Sequence, residues 1–511
     1  MNASELLDQD FDQLTEHVRR CAAEAPGAPA LICGRRKVSY AALDRLLDRV
    51  AAAFQRDGMR AGDTVALCGG NSIDYVAVYL GALRAGLVVA PLPPWLAADA
   101  LARMLGDCGA KVLFLDAPIA RALTTAGHPE PRWIALDDPA GVRRWLAPAG
   151  STPSPIVCGP DTPCNIIYSS GTTGAPKGVV QSHLMRWIQV QQGRTLGGPA
   201  MMLISTPLCS TAGSVSLLMT LGSRGCAVLA RRFDPLVFLR LAERLRASHA
   251  MLVPNQLRRI LAVPAFDAFD LSSFRMIHSV AAPCPAELKR EILRRWPTTL
   301  TEIYGTTEGG ACILRADLRP DKLHTVGQAG PRTQLRIIDE AGVELPVGRI
   351  GEIVAHSPAS MTGYLNQPEL TAEAEWRDRE GKRFIRTGDV GALDEEGFLT
   401  ITGRKKDMII SGGFNIYPID LETVLLRHWQ VQDAAVIAAP SDRWGETPVA
   451  FVVTRPGETV DVKALLDWAN GQLGRTQRIS EVRTLPALPY SPLGKVLKAE
   501  LRQRWEGRTL A

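Results

Sequence analysis

The chain has 511 residues, 46% of them hydrophobic and 22% charged, with a formal net charge of +5. That make-up excludes disordered and fibrous classes, and the length predicts more than one domain. Lys and Arg are scattered and form no long block, so no nucleic-acid partner is expected.

The opening residues carry Asp8, Asp10 and Asp12 and hold no apolar stretch of signal-peptide length. The most apolar segment, 75–92, is interrupted by Arg84 and closed by Pro91, Pro93 and Pro94. This predicts a buried helix followed by a buried strand, and no membrane span. Apolar runs at 64–68, 86–91, 111–115, 164–168, 226–229, 250–253, 274–279 and 300–304 read as further buried strands. Helix-like segments such as 236–247 and 285–295 lie between them, which predicts α/β layers with mostly parallel sheets. Segment 148–163, rich in Pro, Ser and Thr, reads as a loop.

From Gln334 the texture changes to short strands with Gly turns, at 335–339, 349–355, 384–393 and 398–403. A new α/β unit begins after Arg404. The expected fold is therefore α/β. A large N-terminal domain, 1–403, holds stacked α/β subdomains plus a small β section, and a small α+β domain, 404–511, follows. The ten cysteines form no CxxC pair. That argues against a zinc site or a disulfide framework, and for reduced thiols in a cytosolic enzyme.

The strongest signal is a twelve-residue segment that follows an apolar strand: Tyr168-Ser169-Ser170-Gly171-Thr172-Thr173-Gly174-Ala175-Pro176-Lys177-Gly178-Val179. Its glycines allow tight turns and close approach of a ligand. Its hydroxyls and backbone N–H groups suit phosphate oxygens, and Lys177 adds a positive charge. It is not a Walker A loop, because Lys177 precedes a glycine rather than following one before Ser or Thr.

This segment resembles the ATP-binding loop of the adenylate-forming superfamily, which holds acyl-CoA synthetases, aryl-CoA ligases, peptide-synthetase adenylation domains and firefly luciferase. The resemblance recurs in order from about Ser39 to Leu501. Tyr304-Gly305-Thr306-Thr307-Glu308 matches a motif whose aromatic stacks on adenine, whose second Thr meets the α-phosphate and whose Glu binds Mg²⁺. Arg386-Thr387-Gly388-Asp389 matches the ribose-binding stretch and gives that role to Asp389. In segment 403–418, Arg404 corresponds to a ribose or phosphate contact and Lys406 to the hinge before a mobile C-terminal domain. Gly412 and Gly413 correspond to a loop beside the pantetheine channel. In segment 488–498, Lys495 matches the catalytic lysine, with Leu493 where relatives have a small polar residue.

In segment 279–283, Ala282 and Pro283 would line the nucleotide. Val280 and Ala281 stand where relatives carry two glycines that flank the acyl site. Arg443-Trp444-Gly445-Glu446 resembles the aryl-CoA ligase segment whose Trp packs on coenzyme A, and Arg475 and Arg478 fall where relatives hold basic residues near its phosphates. Cys209, Ser210 and Thr211 replace the aromatic or His of many relatives with small side chains, and Trp187 with the 279–283 wall would complete the pocket.

The resemblance implies an ATP-dependent acid–thiol ligase that uses Mg²⁺ and coenzyme A. It would form an acyl-adenylate and pyrophosphate, then acyl-CoA and AMP. A bulky apolar, alicyclic, aryl or medium- to long-chain acid is expected, rather than acetate or an amino acid. Asp234 is read as a helix N-cap before Pro235, not as a partner for an α-amino group. Two alternatives stay open: an adenylation enzyme that loads a carrier protein, and a nucleotide-binding homologue without catalysis.

Overall fold

The structure, a computed structural model, describes residues 11–128, 133–138, 140–169, 177–310, 312–412, 414–474, 477–492 and 494–507. Two compact units divide the chain: residues 1–334 with 355–385, and residues 335–354 with 386–511. The boundary expected at 403/404 lies inside the second unit.

Among its described residues the first unit holds two large sheets. One runs Gln328–Ala329, Cys312–Arg315, Thr299–Tyr304, Met276–Val280, His249–Leu252, Met201–Ile204, Cys226–Leu229, Pro29–Cys33, Arg36–Ser39. The other runs Gly363–Tyr364, Lys177–Ser182, Pro163–Ser169, Val88–Pro91, Thr64–Cys68, Val112–Leu115, Trp133–Ala135. The central strands are parallel. Strands covered on both faces have no polar side to show, which is why they read as continuous apolar runs. Each expected strand in this unit is found within two residues of its expected ends.

The apolar segment around 75–92 is the helix Ile73–Arg84 followed by the strand Val88–Pro91. Arg84 closes the helix, buried, with its guanidinium on Asp44 at 2.7 Å and Asp48 at 2.8 Å. Both carboxylates lie on the helix Tyr40–Arg56. The two helices approach closely because Gly81 leaves room: a Cβ there would sit 2.3 Å from Val50. The helices His183–Gly193 and Thr211–Gly222 meet more tightly still. A Cβ on Gly193 would lie 2.0 Å from the Met219 carbonyl, and one on Gly222 1.9 Å from that of Val190.

The second unit opens with strands of the small β section and continues with Leu399–Arg404, which pairs antiparallel with Arg383–Leu393. Its main sheet runs Phe414–Ile416, Ile409–Ser411, Gly445–Thr454, Val431–Ser441, with Glu481–Thr484 parallel to Gly445–Thr454. The helices Pro418–Leu426 and Val462–Gln472 bury Leu421, Leu425 and Leu465 with Val436, Ala450 and Val452. Leu501 of helix Lys498–Trp505 packs with the alternate residues Ala435, Ile437 and Phe451. Period-2 alternation thus gives this sheet two apolar faces. All ten cysteines are free thiols. Among the described residues, no helix is long and apolar enough to cross a membrane.

Candidate active site

In the first unit several of the expected site residues lie at strand ends. Strands Pro163–Ser169 and Lys177–Ser182 form an antiparallel pair closed by Ser169 opposite Lys177, so the glycine-rich segment hangs from their ends. Ser170, Gly171, Thr172, Thr173 and Gly174 lie outside the described residues. Gly178 is held from its own strand and from the next: its carbonyl accepts from Leu365 N–H at 2.8 Å, and a Cβ would press on Ile166, Leu365 and Tyr168 at 3.1–3.3 Å.

Strands Met276–Val280 and Thr299–Tyr304 run parallel, with Val280 opposite Ile303. Their C-terminal ends therefore deliver Ala281, Ala282 and Pro283 beside Tyr304 and the 305–308 turn. Carboxyl ends of parallel strands are where α/β sheets bind ligands. Thr306 and Gly309 hydrogen-bond each other across that turn, both N–H to O distances being 3.3 Å. Gly309 has φ of +136°, and a Cβ on it would strike Ser360 Cα at 2.8 Å, so only glycine fits. Beneath the strand, Glu302 is buried against Lys289 and accepts from the Cys284 N–H at 3.0 Å, which anchors the end of the 281–284 loop. Burial raises the Glu302 carboxyl above its usual range, and the Lys289 ammonium pulls it the other way.

Glu308 is the focus of the site. Its Oε1 accepts from the Tyr364 hydroxyl at 3.1 Å and from Ser169 Oγ at 3.5 Å. The Lys177 ammonium lies 5.2 Å from the Tyr364 ring centroid, within cation–π reach. Burial, with the Glu308 carboxylate beside it, pushes the Tyr364 hydroxyl well above the ordinary phenol range, so it stays a donor. Thr211 Oγ1 meets Thr307 Oγ1 at 3.4 Å, which joins the expected acid pocket to the expected α-phosphate contact.

The pocket segment is well anchored. Asn71, buried, donates to the carbonyls of Thr206 at 2.9 Å and Ala230 at 3.2 Å, and accepts from Leu208 N–H at 2.9 Å. Ser210 caps the helix Thr211–Gly222 through Gly213 N–H at 3.1 Å. Cys209 is buried, and burial pushes its thiol up to about 12, so it supplies volume rather than a nucleophile. Val280 is buried, and Ala281 stands at φ +71°, a left-handed backbone. Trp187 is 2% exposed, edge-on to His17 at 6.1 Å, with the Arg194 guanidinium 5.4 Å from its ring. Asp234 caps helix Pro235–Arg244 through Val237 N–H at 2.8 Å, as expected.

In the second unit Asp389 and Arg404 are register partners, with Arg404 Nε on Asp389 Oδ1 at 3.2 Å. Lys406 is exposed in the 3₁₀ turn Lys405–Asp407 that follows directly. Gly412, at φ +57°, donates to the Trp444 carbonyl at 2.8 Å, and a Cβ on it would strike the indole at 2.8 Å. Trp444 is 47% exposed beneath the Arg443 guanidinium, 4.6 Å from its ring. Lys495 is exposed in a turn tied by Ser491 N–H to its carbonyl at 2.8 Å and by its own N–H to Ser491 Oγ at 3.1 Å. Gly413 and Arg475 lie outside the described residues.

The profile of the AMP-binding enzyme family matches residues 18–365, well over half of the chain. The chain belongs to that family. The AMP-binding enzyme C-terminal domain matches residues 420–495. The chain is 34% identical to an indoleacetate–CoA ligase of Aromatoleum aromaticum, over 96% of this chain and 98% of the relative. It is 35% identical to a feruloyl-CoA synthase of Amycolatopsis sp., over 96% and 98%. A crystal structure of ATP-bound MatB from Rhodopseudomonas palustris superposes with a TM-score of 0.85 at 30% identity, covering 99% of both chains. The reaction class read from the motifs holds: this is an AMP-forming acyl-CoA synthetase that uses ATP, Mg²⁺ and coenzyme A.

Sequence reasoning passed over Tyr364, Asn71, Asn165 and Gln181. Tyr364, Asn71 and Gln181 each bond a residue far away in the chain, and Asn165 pairs across a hairpin with Gln181, so no short motif marks them.

Proposed function

We propose that this synthetase activates a bulky apolar or aryl carboxylic acid, with Glu308, Lys177, Thr307 and Lys495 as its charge-handling groups. The observation that supports this best is the Glu308 carboxylate, held by Tyr364 and Ser169 at the mouth of the glycine-rich hairpin. A carboxylate is a poor electrophile. Its attack on the α-phosphorus of ATP expels pyrophosphate and creates an acyl-adenylate with a good leaving group. Two anions must approach, so preorganised positive charge and N–H donors lower the barrier.

Glu308 offers the hard oxygen that Mg²⁺ takes alongside substrate phosphates and water. Bound there, the ion would neutralise phosphate charge. Thr307 and Lys177 orient the phosphates, Tyr304 stacks on adenine, and Asp389 with Arg404 holds the ribose. Lys495 neutralises the meeting of carboxylate and α-phosphate. Residues after Lys406 then swing to admit the thiol of coenzyme A, with Trp444 and Gly412 beside its pantetheine arm. The expected mobile domain, 404–511, is that moving part.

Small neutral side chains at 209–211 favour a large uncharged acyl group. Asp234 is committed to its helix cap, so it supports no α-amino recognition. The aryl acids in the names of the two relatives agree with this reading. A cytosolic location fits the ten free thiols. The test is hydroxamate formation and pyrophosphate release across a panel of acids, then acyl-CoA formation with free coenzyme A. Aryl or long apolar acids should lead. Release with acetate or amino acids alone sinks the substrate class, and turnover that needs a carrier protein sinks coenzyme A as acceptor.

A further inference from the structure

A buried cation lies behind the hairpin that carries the glycine-rich segment. Arg186 is 1% exposed, and among the described residues it makes no ion pair with a carboxylate. Its measured hydrogen bonds go to amide oxygens, and the buried Tyr79 hydroxyl lies beside it. Nε donates to Asn165 Oδ1 at 2.7 Å and Nη1 to Gln189 Oε1 at 2.8 Å. The chain of bonds then continues in one direction. Asn165 Nδ2 donates to Gln181 Oε1 at 2.9 Å, and Gln181 Nε2 donates to the Thr307 carbonyl at 2.9 Å. Asn165 and Gln181 are both fully buried, and they face each other across the two strands that end in the glycine-rich segment.

Every amide in this series accepts on the side of Arg186 and donates on the side of Thr307. The guanidinium therefore polarises each link in the same sense, and such chains strengthen cooperatively in a low-dielectric interior. A buried cation held by neutral groups alone, here two amides and the Tyr79 hydroxyl, is costly, and each acceptor lost leaves a charge-bearing donor unpaired. The series spans both halves of the nucleotide site, because one end sits at the base of the phosphate hairpin and the other at the residue before Glu308. We propose that Arg186, Asn165 and Gln181 are positioning residues that fix Thr307 against the ATP-binding hairpin. The proposal rests on the reading that Thr307 meets the α-phosphate.

The test uses ATP–pyrophosphate exchange with the full-length enzyme. Gln181→Met removes the donor to Thr307 and should lower kcat/KM for ATP about tenfold, the effect of one hydrogen bond. KM for the acid should stay within about twofold, a split that a general loss of packing does not produce. Gln181→Glu keeps the volume and the acceptor for Asn165 but loses the donor, so it serves if the methionine variant misfolds. Asn165→Leu should act in the same direction, and the double variant should be no worse than the worse single one, since both cut the same chain. Wild-type ATP kinetics in a folded Gln181 variant, or fully additive losses, overturn the proposal. Thr307→Val separates the two readings. If exchange survives that change, the α-phosphate role of Thr307 fails; if Thr307→Val is impaired and the Gln181 variants are not, only the relay fails.

Discussion

The Tyr364 hydroxyl donates to Glu308 Oε1 at 3.1 Å, from a strand 56 positions further along the chain. That strand, Gly363–Tyr364, pairs with Lys177–Ser182, so the bond ties the acidic residue to the phosphate hairpin. Tyr364→Phe should leave the fold intact and free the carboxylate to rotate. A hydrogen bond to a charged group is worth about 1.5 kcal/mol, so exchange should fall roughly tenfold and need more Mg²⁺ for half-maximal rate. An unchanged Mg²⁺ titration would remove Tyr364 from the site.

Lys495 is exposed at a tight turn, where it can be replaced without disturbing a core. Lys495→Ala should slow adenylation by about 10²- to 10³-fold, the loss typical of one preorganised donor. Thiolation of preformed acyl-AMP should suffer much less. Measuring both half-reactions decides the matter, since equal losses would contradict the assignment.

Ala281 holds a left-handed backbone, φ +71°, at a position where the motif resemblance leads one to expect glycine. The strain is about 1–2 kcal/mol for a residue with a Cβ. Ala281→Gly should leave the melting temperature unchanged or raised and should admit bulkier acids. Ala281→Val should lower it, because a β-branched residue tolerates positive φ poorly. A valine variant as stable as the parent would show that this backbone is not as described.

Burial holds His278 at about 4 and His249 at about 3, on neighbouring parallel strands. An unfolded histidine titrates near 6.5. Below that pH the unfolded chain takes up protons that the folded one refuses, so stability falls as pH drops from 6.5 to 4 and is unaffected above 6.5. At pH 5 each such histidine costs about 2 kcal/mol. Urea midpoints between about pH 7 and pH 5 should decline, and His278→Gln should flatten the slope. An equal slope in that variant would mean His278 titrates normally.

Much of the first unit was legible because parallel strands covered on both faces must be apolar throughout, as Thr64–Cys68 and Cys226–Leu229 are. The motifs point to Glu308, Asp389 and Lys495 because the resemblance rests on short local strings. The support around them was not legible. Gln181 and its acceptor Thr307 are 126 positions apart, and Asn71 and Leu208 are 137 apart. Such pairs exist only once both sheets have formed. Arg84 looked like a break in an apolar run, and its two carboxylate partners on the neighbouring helix explain why it is there. Removing both aspartates would leave the buried Arg84 charge without a carboxylate, at about 3–5 kcal/mol, whereas removing one leaves the other in place.

The glycine contacts between helices His183–Gly193 and Thr211–Gly222 bring each backbone directly onto the other. Neither helix can slide or tilt without a collision, so the pair acts as a single strut. The hairpin proposed to grip nucleotide runs into one end of it, and Thr211, placed by our proposal at the acid pocket, starts the other member. If residues 209–211 line the acid pocket as proposed, redesign for a new acid can therefore vary Cys209 and Thr211 one at a time while Ser210 is kept as the helix cap. The same rigidity puts a ceiling on what such redesign can reach, since an acyl group that needs the two helices to part has no route in.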